Sequence, residues 1–336
     1  MRYVSSSMCG LFGLLRAPDA VHPERASDVV VTLGTLAEER GTDSAGLALL
    51  TGRPAGRDAA ALSGVADDRG SDLVHDGCRV IKGRGTFSAV WRPALLDALD
   101  AAPAVLGHTR WATQGTPHSL ANASPLVIGG ADAVGPHAAR AAGIVATHNG
   151  DIEAAAFRAR FAPPDAAGGT DSEPVFQVLA GQASVPDVLA VLTALVGRAA
   201  LAWVDRARPE IVHLARAACS PLSVAVDDEQ NLYWASNPKW FRLAERHTSV
   251  RFATIVMLRE GTYLRLGPPS PGARPEVLSG AGFLPTARAY DVDDRVWTGF
   301  TPSDATRDRD GLRHRVAPLL PSAPGGHTPT TPVTVV

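Results

Sequence analysis

Cysteine is scarce in this 336-residue chain: Cys9, Cys78 and Cys219 are its three, widely scattered and without short paired spacings. That excludes a disulfide framework and a cysteine-built zinc site, and it fits a reducing, cytoplasmic compartment. An excess of either charge is also missing. With a formal net charge of -2 at pH 7, the chain lacks the electrostatic footprint of a nucleic-acid or anionic-membrane binder, so neither is expected as a partner. No apolar run approaches the roughly 18 to 20 residues needed to span a bilayer. The apolar stretch at 8–15 is short, contains Gly10 and Gly13, and lacks the small-residue exit of a secretory signal. The residue pattern calls for no metal and no cofactor.

What is present is ordinary globular material, 45% hydrophobic and 20% charged, enough for one large domain or two small ones. The run at 8–15 reads as a buried strand. Val29, Leu33 and Leu36 recur at helical spacing, and Arg40-Gly41 supplies a basic last turn and a C-cap. Residues 45–50 read as a strand, 53–85 as a variable loop with one strand near 78–81, and a helix around 95–99 leads into a strand ending at His108-Thr109-Arg110. A second strand ends at His148-Asn149-Gly150. Helices follow at 152–160, 174–180 and 186–196, then short apolar runs at 199–204, 211–215, 222–226, 232–235, 255–258 and 263–266 read as strands. After Leu266 the texture becomes Pro- and Thr-rich, which predicts linker and tail over 267–336, with an aromatic piece at 289–300 that docks.

A cysteine inside an apolar run is ordinarily a small buried hydrophobe. Cys9 differs in its company. Downstream lie Arg40-Gly41-Thr42-Asp43-Ser44-Ala45-Gly46, then His108-Thr109-Arg110-Trp111-Ala112-Thr113-Gln114-Gly115, then His148-Asn149-Gly150-Asp151, then Gly169-Thr170-Asp171-Ser172-Glu173. In this order after Cys9-Gly10-Leu11-Phe12-Gly13, these motifs resemble class II glutamine amidotransferase domains. The glutaminase domain of glucosamine-6-phosphate synthase is the nearer likeness through His-Thr-Arg-Trp-Ala-Thr, and amidophosphoribosyltransferase is similar too. The resemblance covers residues 9–266. It implies an α+β fold, the four-layer αββα sandwich of N-terminal-nucleophile hydrolases, with the nucleophile on the first strand.

Hydrolysing the carboxamide of L-glutamine requires a nucleophile, a base, an oxyanion stabiliser and groups that hold the amino-acid end. A thiol has a free pKa of about 8.5 and an α-amino group titrates near 7.7 to 8.0, so an N-terminal cysteine carries its own base. Cys9 as numbered is internal, so the reading requires cleavage between Met8 and Cys9. Residues 1–8 are then either a propeptide or a mis-assigned start, with translation beginning at Met8; the second is favoured.

By resemblance, Asn149 supplies a side-chain amide and Gly150 a backbone N–H to the oxyanion. Arg110 suits the glutamine α-carboxylate as a bidentate partner and Asp171 its α-ammonium, although Asp171 also suits the N-cap of a helix. Backbone groups at Thr113 and Gln114 assist, and Trp111 gates the pocket. Arg40 and Asp43 read as supports, and His108, His118, His137 and His148 as structural. Two positions depart from the family pattern: Ser124 stands where the sugar-phosphate synthases carry a histidine, and Gln114 differs as well, which puts a sugar-phosphate acceptor in doubt.

The relatives are fused to a second domain that consumes the ammonia. The reading therefore includes a separate ammonia-accepting synthase subunit, while self-association stays open. Two alternatives remain: a non-catalytic regulatory or scaffold protein that keeps the fold, and a hydrolase of another γ-glutamyl amide.

Overall fold

The computed structural model describes residues 8–51, 70–75, 77–129, 143–268, 275–292, 300–312 and 316–317. Residues 1–7, His137, most of the expected loop at 53–85, residues 293–299 of the expected docking piece, Trp297 included, and the tail from 318 onward lie outside them.

In chain order the elements are β1 (Gly10–Leu15), α1 (Pro23–Ala37), β2 (Ser44–Leu50), β3 (Gly70–His75), β4 (Cys78–Arg84), α2 (Phe87–Val90), α3 (Leu96–Ala101), β5 (Ala104–Arg110), β6 (Leu126–Ile128) and β7 (Ile144–Ile152). There follow α4 (Ala154–Phe161), α5 (Ser172–Ala180), α6 (Val185–Thr193), β8 (Gly197–Asp205), β9 (Val212–Arg216), β10 (Ser223–Asp227), β11 (Leu232–Ala235) and α7 (Pro238–His247). The last are β12 (Phe252–Met257), β13 (Thr262–Gly267), β14 (Glu276–Gly282), β15 (Ala287–Arg288), α8 (Pro302–Leu312) and β16 (Val316–Ala317).

An eight-stranded sheet runs in the order β12-β10-β11-β1-β5-β2-β4-β3, and a six-stranded sheet in the order β14-β13-β9-β8-β7-β6. Neighbouring strands within both are antiparallel. Antiparallel sheets often wet one face, but the central strands β1, β2 and β5 here are buried at every position because both faces are covered. The side chains divide by parity. Phe12, Leu14, Leu47, Leu49 and Val105 pack with Val29, Val30 and Leu33 of α1 and with Trp240 and Phe241 of α7. Their neighbours Leu11, Leu15, Ala48, Leu50, Ala104 and Leu106 face the other way, against Val145, Ala200, Ala202, Val212 and Leu214 of the second sheet. The opposite face of that sheet, through Ala146, Leu201, Trp203 and Ala215, is covered by Phe157, Phe176, Leu179, Val188 and Leu192 of α4, α5 and α6. Three apolar layers thus separate four layers of structure, the αββα sandwich that the resemblance implies.

Local signals account for the helix starts. α1 and α6 carry Pro in their first turn, where its missing N–H costs nothing. Ser184 and Asn237 cap α6 and α7, accepting from Asp187 N at 3.3 Å and Lys239 N at 3.0 Å. α1 stops at Ala37, so Arg40 lies beyond the last turn in which the sequence places it, and it is 6% exposed.

Structure continues past the change of texture at Leu266. β14 pairs with β13 and extends the six-stranded sheet. It is an edge strand, largely exposed, so it carries little of the apolar signal by which strands are recognised. α8 is anchored through Asp308, which pairs at 2.5 Å with Arg216, fully buried on β9. Arg216 also donates to the carbonyls of Ser220 and Leu258 and lies 5.0 Å from the Phe300 ring centroid.

Candidate active site

The sandwich brings the ends of β1, β5 and β7 and the start of α5 to one place. Gly10 pairs with Thr109, so Cys9, just before β1, falls beside Arg110, the last residue of β5. Ser44 of β2 pairs with Arg110 on its other side. Cys9 is buried, and its thiol donates to the carbonyl of Trp111 at 3.4 Å. Arg40 Nε donates to Cys9 O at 2.9 Å, and Asp43 Oδ2 accepts from Ala112 N at 2.8 Å. Both expected supports therefore hold the backbone around the thiol.

A narrow cleft opens from Cys9. It is lined by Arg110, Trp111, Thr113, Gln114, Gly150 and Asp171, and also by His108, Asn122, Ser124, His148, Thr170 and Ser172. Seven of the eight residues picked from the sequence share this wall. Asn149 does not: it is fully buried behind the cleft, its Nδ2 donating to Ser236 Oγ at 3.1 Å. Ser236 Oγ also accepts from Leu11 N at 2.9 Å, tying the Asn149 side chain to the nucleophile strand. Gly150 has φ +151, and a Cβ there would sit 2.0 Å from the Arg198 carbonyl, so only glycine lets β7 approach β8 this closely.

Arg110 is 5% exposed and points into the loop that follows β5, its Nη2 donating to Gln114 O at 2.6 Å and Gly115 O at 3.3 Å. An incoming carboxylate would share the guanidinium with these carbonyls. Asp171 stands at the N-cap position of α5 but makes no capping bond; its Oδ2 accepts from Ile152 N at 2.8 Å instead. Trp111 is 41% exposed at the rim, where a gate would stand. Gln114 Nε2 donates to Asp151 Oδ1 at 2.7 Å and to Ile152 O at 3.2 Å. That side chain ties the loop to β7, a role the sequence reading, which considered only the backbone, does not anticipate.

Two histidines read as structural, His108 and His148, also reach the cleft. His108 Nε2 bonds to the carbonyl of His148 at 2.9 Å, and burial pulls its pKa down to about 3, so its ring is neutral at physiological pH. His148 Nδ1 and Ser172 Oγ lie 2.8 Å apart, with Ser172 Oγ 3.5 Å from Asp171 Oδ1. No sequence signal separates such histidines from core ones. Burial pushes the Cys9 thiol up to about 11 against the lowering pull of Arg110 and Arg40. In the continuous chain it is therefore a neutral thiol at physiological pH. Met8, 2% exposed, precedes it, with its sulfur 2.9 Å from Arg198 Nη1. Among the described residues no cluster of His, Cys, Asp and Glu could hold a metal ion, and no helix is long and apolar enough to cross a membrane.

No protein-family model matches the chain, and no curated protein matches it. Solved structures do. Glutamine phosphoribosylpyrophosphate (PRPP) amidotransferase from B. subtilis, complexed with ADP and GMP, superimposes with a TM-score of 0.54 at 17% identity, over 84% of this chain and 52% of that one. A structure described as the allosteric regulatory enzyme of purine biosynthesis does so with a TM-score of 0.55, again at 17% identity and over 84% and 52% of the two chains. The chain spans about half the length of these neighbours. At such identity the likeness shows the fold, that of N-terminal-nucleophile hydrolases, in agreement with the two antiparallel sheets and their helical covers.

Proposed function

We propose that this protein hydrolyses the side-chain amide of L-glutamine through Cys9, once the chain is cut between Met8 and Cys9. The observation that carries this reading is the convergence of Cys9, Arg110, Gly150 and Asp171 on one cleft of an N-terminal-nucleophile fold.

In the processed chain the new α-amine of Cys9, with a pKa near 8, takes the thiol proton. The thiolate attacks the amide carbon, and the carbonyl oxygen becomes an oxyanion that accepts from Gly150 N–H, while Asn149, buried behind the cleft and donating to Ser236 Oγ, ties β7 to the nucleophile strand. The C–N bond then breaks, ammonia leaves with the proton held by the amine, and a γ-glutamyl thioester remains. Water, deprotonated by the same amine, opens the thioester and releases glutamate. Throughout, Arg110 holds the α-carboxylate and Asp171 the α-ammonium, Thr113 and Gln114 close one wall, and Trp111 covers the mouth.

Ammonia set free in water at neutral pH is protonated and no longer nucleophilic, so the ammonia is passed to an acceptor on a separate synthase subunit. The His108-Thr109-Arg110-Trp111-Ala112-Thr113 segment favours kinship with the glutaminase domain of glucosamine-6-phosphate synthase, and Ser124 argues against the same sugar-phosphate acceptor.

A second reading, a scaffold that keeps the fold without the chemistry, draws on the burial of Met8 and the high pKa of the Cys9 thiol, which together describe an inert uncut state. One set of measurements separates the two. The hydrolase reading expects an intact mass lacking residues 1–8, release of glutamate from glutamine, and loss of that activity in Cys9→Ala. A full-length mass with no labelling of Cys9 by a glutamine-mimicking diazo-ketone would establish the scaffold instead. Turnover of γ-glutamyl peptides in preference to glutamine would move the substrate but keep the nucleophile.

A further inference from the structure

The chain returns to the cleft from behind, through residues that follow the six-stranded sheet. Gly197 at the start of β8 donates to Thr286 O at 2.9 Å, which lays the next residues alongside that strand. Arg288, 8% exposed, stands there between two carboxylates. Its Nε donates to Asp291 Oδ2 at 2.8 Å and its Nη2 to Asp291 Oδ1 at 3.0 Å. The same Nη2 reaches Asp151 twice, at 2.9 Å to Oδ2 and 2.8 Å to the main-chain oxygen. The Tyr290 ring covers the guanidinium, its centroid 4.5 Å from Cζ. Burial alone would lower the guanidinium pKa, but Asp291 and Asp151 outweigh it and the net shift is upward. Such a pair, desolvated and multiply bonded, is geometrically demanding.

Asp151 directly follows Gly150, and its other oxygen accepts from Gln114 Nε2 at 2.7 Å. One carboxylate therefore joins three chain segments: the end of β7, the loop after β5 and the Arg288 turn. A second arm leaves from Asp291, whose Oδ1 lies 3.4 Å from Arg198 Nε; Arg198 Nη1 in turn contacts the sulfur of Met8. Asp291 thus pairs with two guanidinium groups, one leading to the oxyanion side of the cleft and the other to the residue in front of the nucleophile.

We infer that Arg288 is a positioning residue of the site: gripped by Asp291, it fixes Asp151, and through Asp151 it sets both the Gly150 end of β7 and the Gln114 wall of the cleft. The kinetic consequence rests on the amide-hydrolysing reading given above; the mechanical one does not. A displacement of the order of an ångström at reacting groups lowers rates by roughly a hundredfold. Losing Arg288 should therefore impair catalysis without altering the intrinsic reactivity of the thiol.

The test uses the full chain with Arg288→Met, Arg288→Lys and Asp151→Asn. For Arg288→Met the expected results are a fall in kcat/KM for glutamine of roughly tenfold to a hundredfold, shared between a higher KM and a lower kcat, and slower inactivation by the diazo-ketone. Alkylation of Cys9 by iodoacetamide should stay within about twofold of the unsubstituted protein, because that reaction reads only the thiol. Amide hydrogen exchange should rise in peptides covering 148–153 and 113–117 and stay unchanged in α1 and α7. Arg288→Lys, which keeps the charge but not the fork, should recover part of the loss. Asp151→Asn keeps an acceptor for Gln114 and loses the ion pair, so it should shift the same readouts less, and it carries the test if Arg288→Met does not fold. Unchanged exchange in both peptides with kcat/KM within about twofold would overturn the inference. If the unsubstituted protein, cut at Cys9, fails to hydrolyse glutamine, the amide reading falls, and the exchange measurement still decides whether Arg288 positions these segments.

Discussion

The main-chain amide of Ile152 donates to Oδ2 of Asp171 at 2.8 Å, so the carboxylate at the head of α5 is bound to the end of β7 and caps no backbone N–H of its own helix. One oxygen is committed to structure while the residue still lines the cleft. Asp171→Asn can keep an acceptor for Ile152 but loses the charge that would hold an ammonium group. A charged hydrogen bond contributes about 1.5–3 kcal/mol. KM for glutamine should accordingly rise by about tenfold to a hundredfold with a much smaller change in kcat, measured by steady-state kinetics. An unchanged KM would remove Asp171 from the substrate.

Thiol reactivity should follow chain processing. Where residues still precede Cys9, its pKa of about 11 leaves on the order of one molecule in ten thousand ionised at pH 7. Alkylation by iodoacetamide should then climb about tenfold per pH unit from pH 7 towards pH 11. With a free α-amine beside the sulfur the profile should bend near pH 8, where that amine titrates. Identical profiles for a chain begun at Met1 and one begun at Cys9 would show that the amine plays no part.

Acid should loosen the fold before its carboxylates protonate. Burial lowers the pKa of His108 from 6.5 to about 3, so between these values the unfolded chain binds a proton that the folded chain refuses. Stability is therefore full above pH 6.5 and falls as pH drops below it, by about 1.4 kcal/mol per unit once well below. His213, lowered to about 3 mainly by burial, acts in the same direction. Thermal melting between pH 7 and pH 5 should show a falling midpoint, and His108→Gln should flatten the slope.

The ion pair of Arg216 and Asp308 binds α8 to the body, with side chains 0% and 2% exposed. Asp308→Ala leaves a buried guanidinium without its counter-charge, a loss of about 3–5 kcal/mol. Chemical denaturation should register it as a lower midpoint. A change below about 1 kcal/mol would mean that α8 is dispensable to the sandwich.

The central strands were legible because they are apolar runs buried on both faces, as at Leu11 and Phe12, and the helices because their apolar spacing and first-turn prolines are local; β3, polar and half-exposed within the expected loop, and the three-residue β6 were not. β14 was not, since an exposed edge strand has no apolar face to betray it. The cleft was legible through ordered motifs, which placed Cys9, Arg110, Gly150 and Asp171 on one wall. His148, read as structural, and Ser172, given no role, were not picked out because their residue types are common in cores and helix starts, and only their 2.8 Å contact distinguishes them.

By itself, the sequence determined where the buried strands run, through their apolar stretches, and its ordered motifs, through the family they resemble, implied the αββα layers and Cys9 as the nucleophile position. Tertiary structure alone decided that Asn149 sits behind the cleft against Ser236, that Arg110 is already engaged by the loop after β5, and that Arg288 grips Asp151 from 137 residues away. The reason is physical: periodicity is a property of neighbours along the chain, whereas these bonds join groups whose proximity exists only once both sheets have stacked.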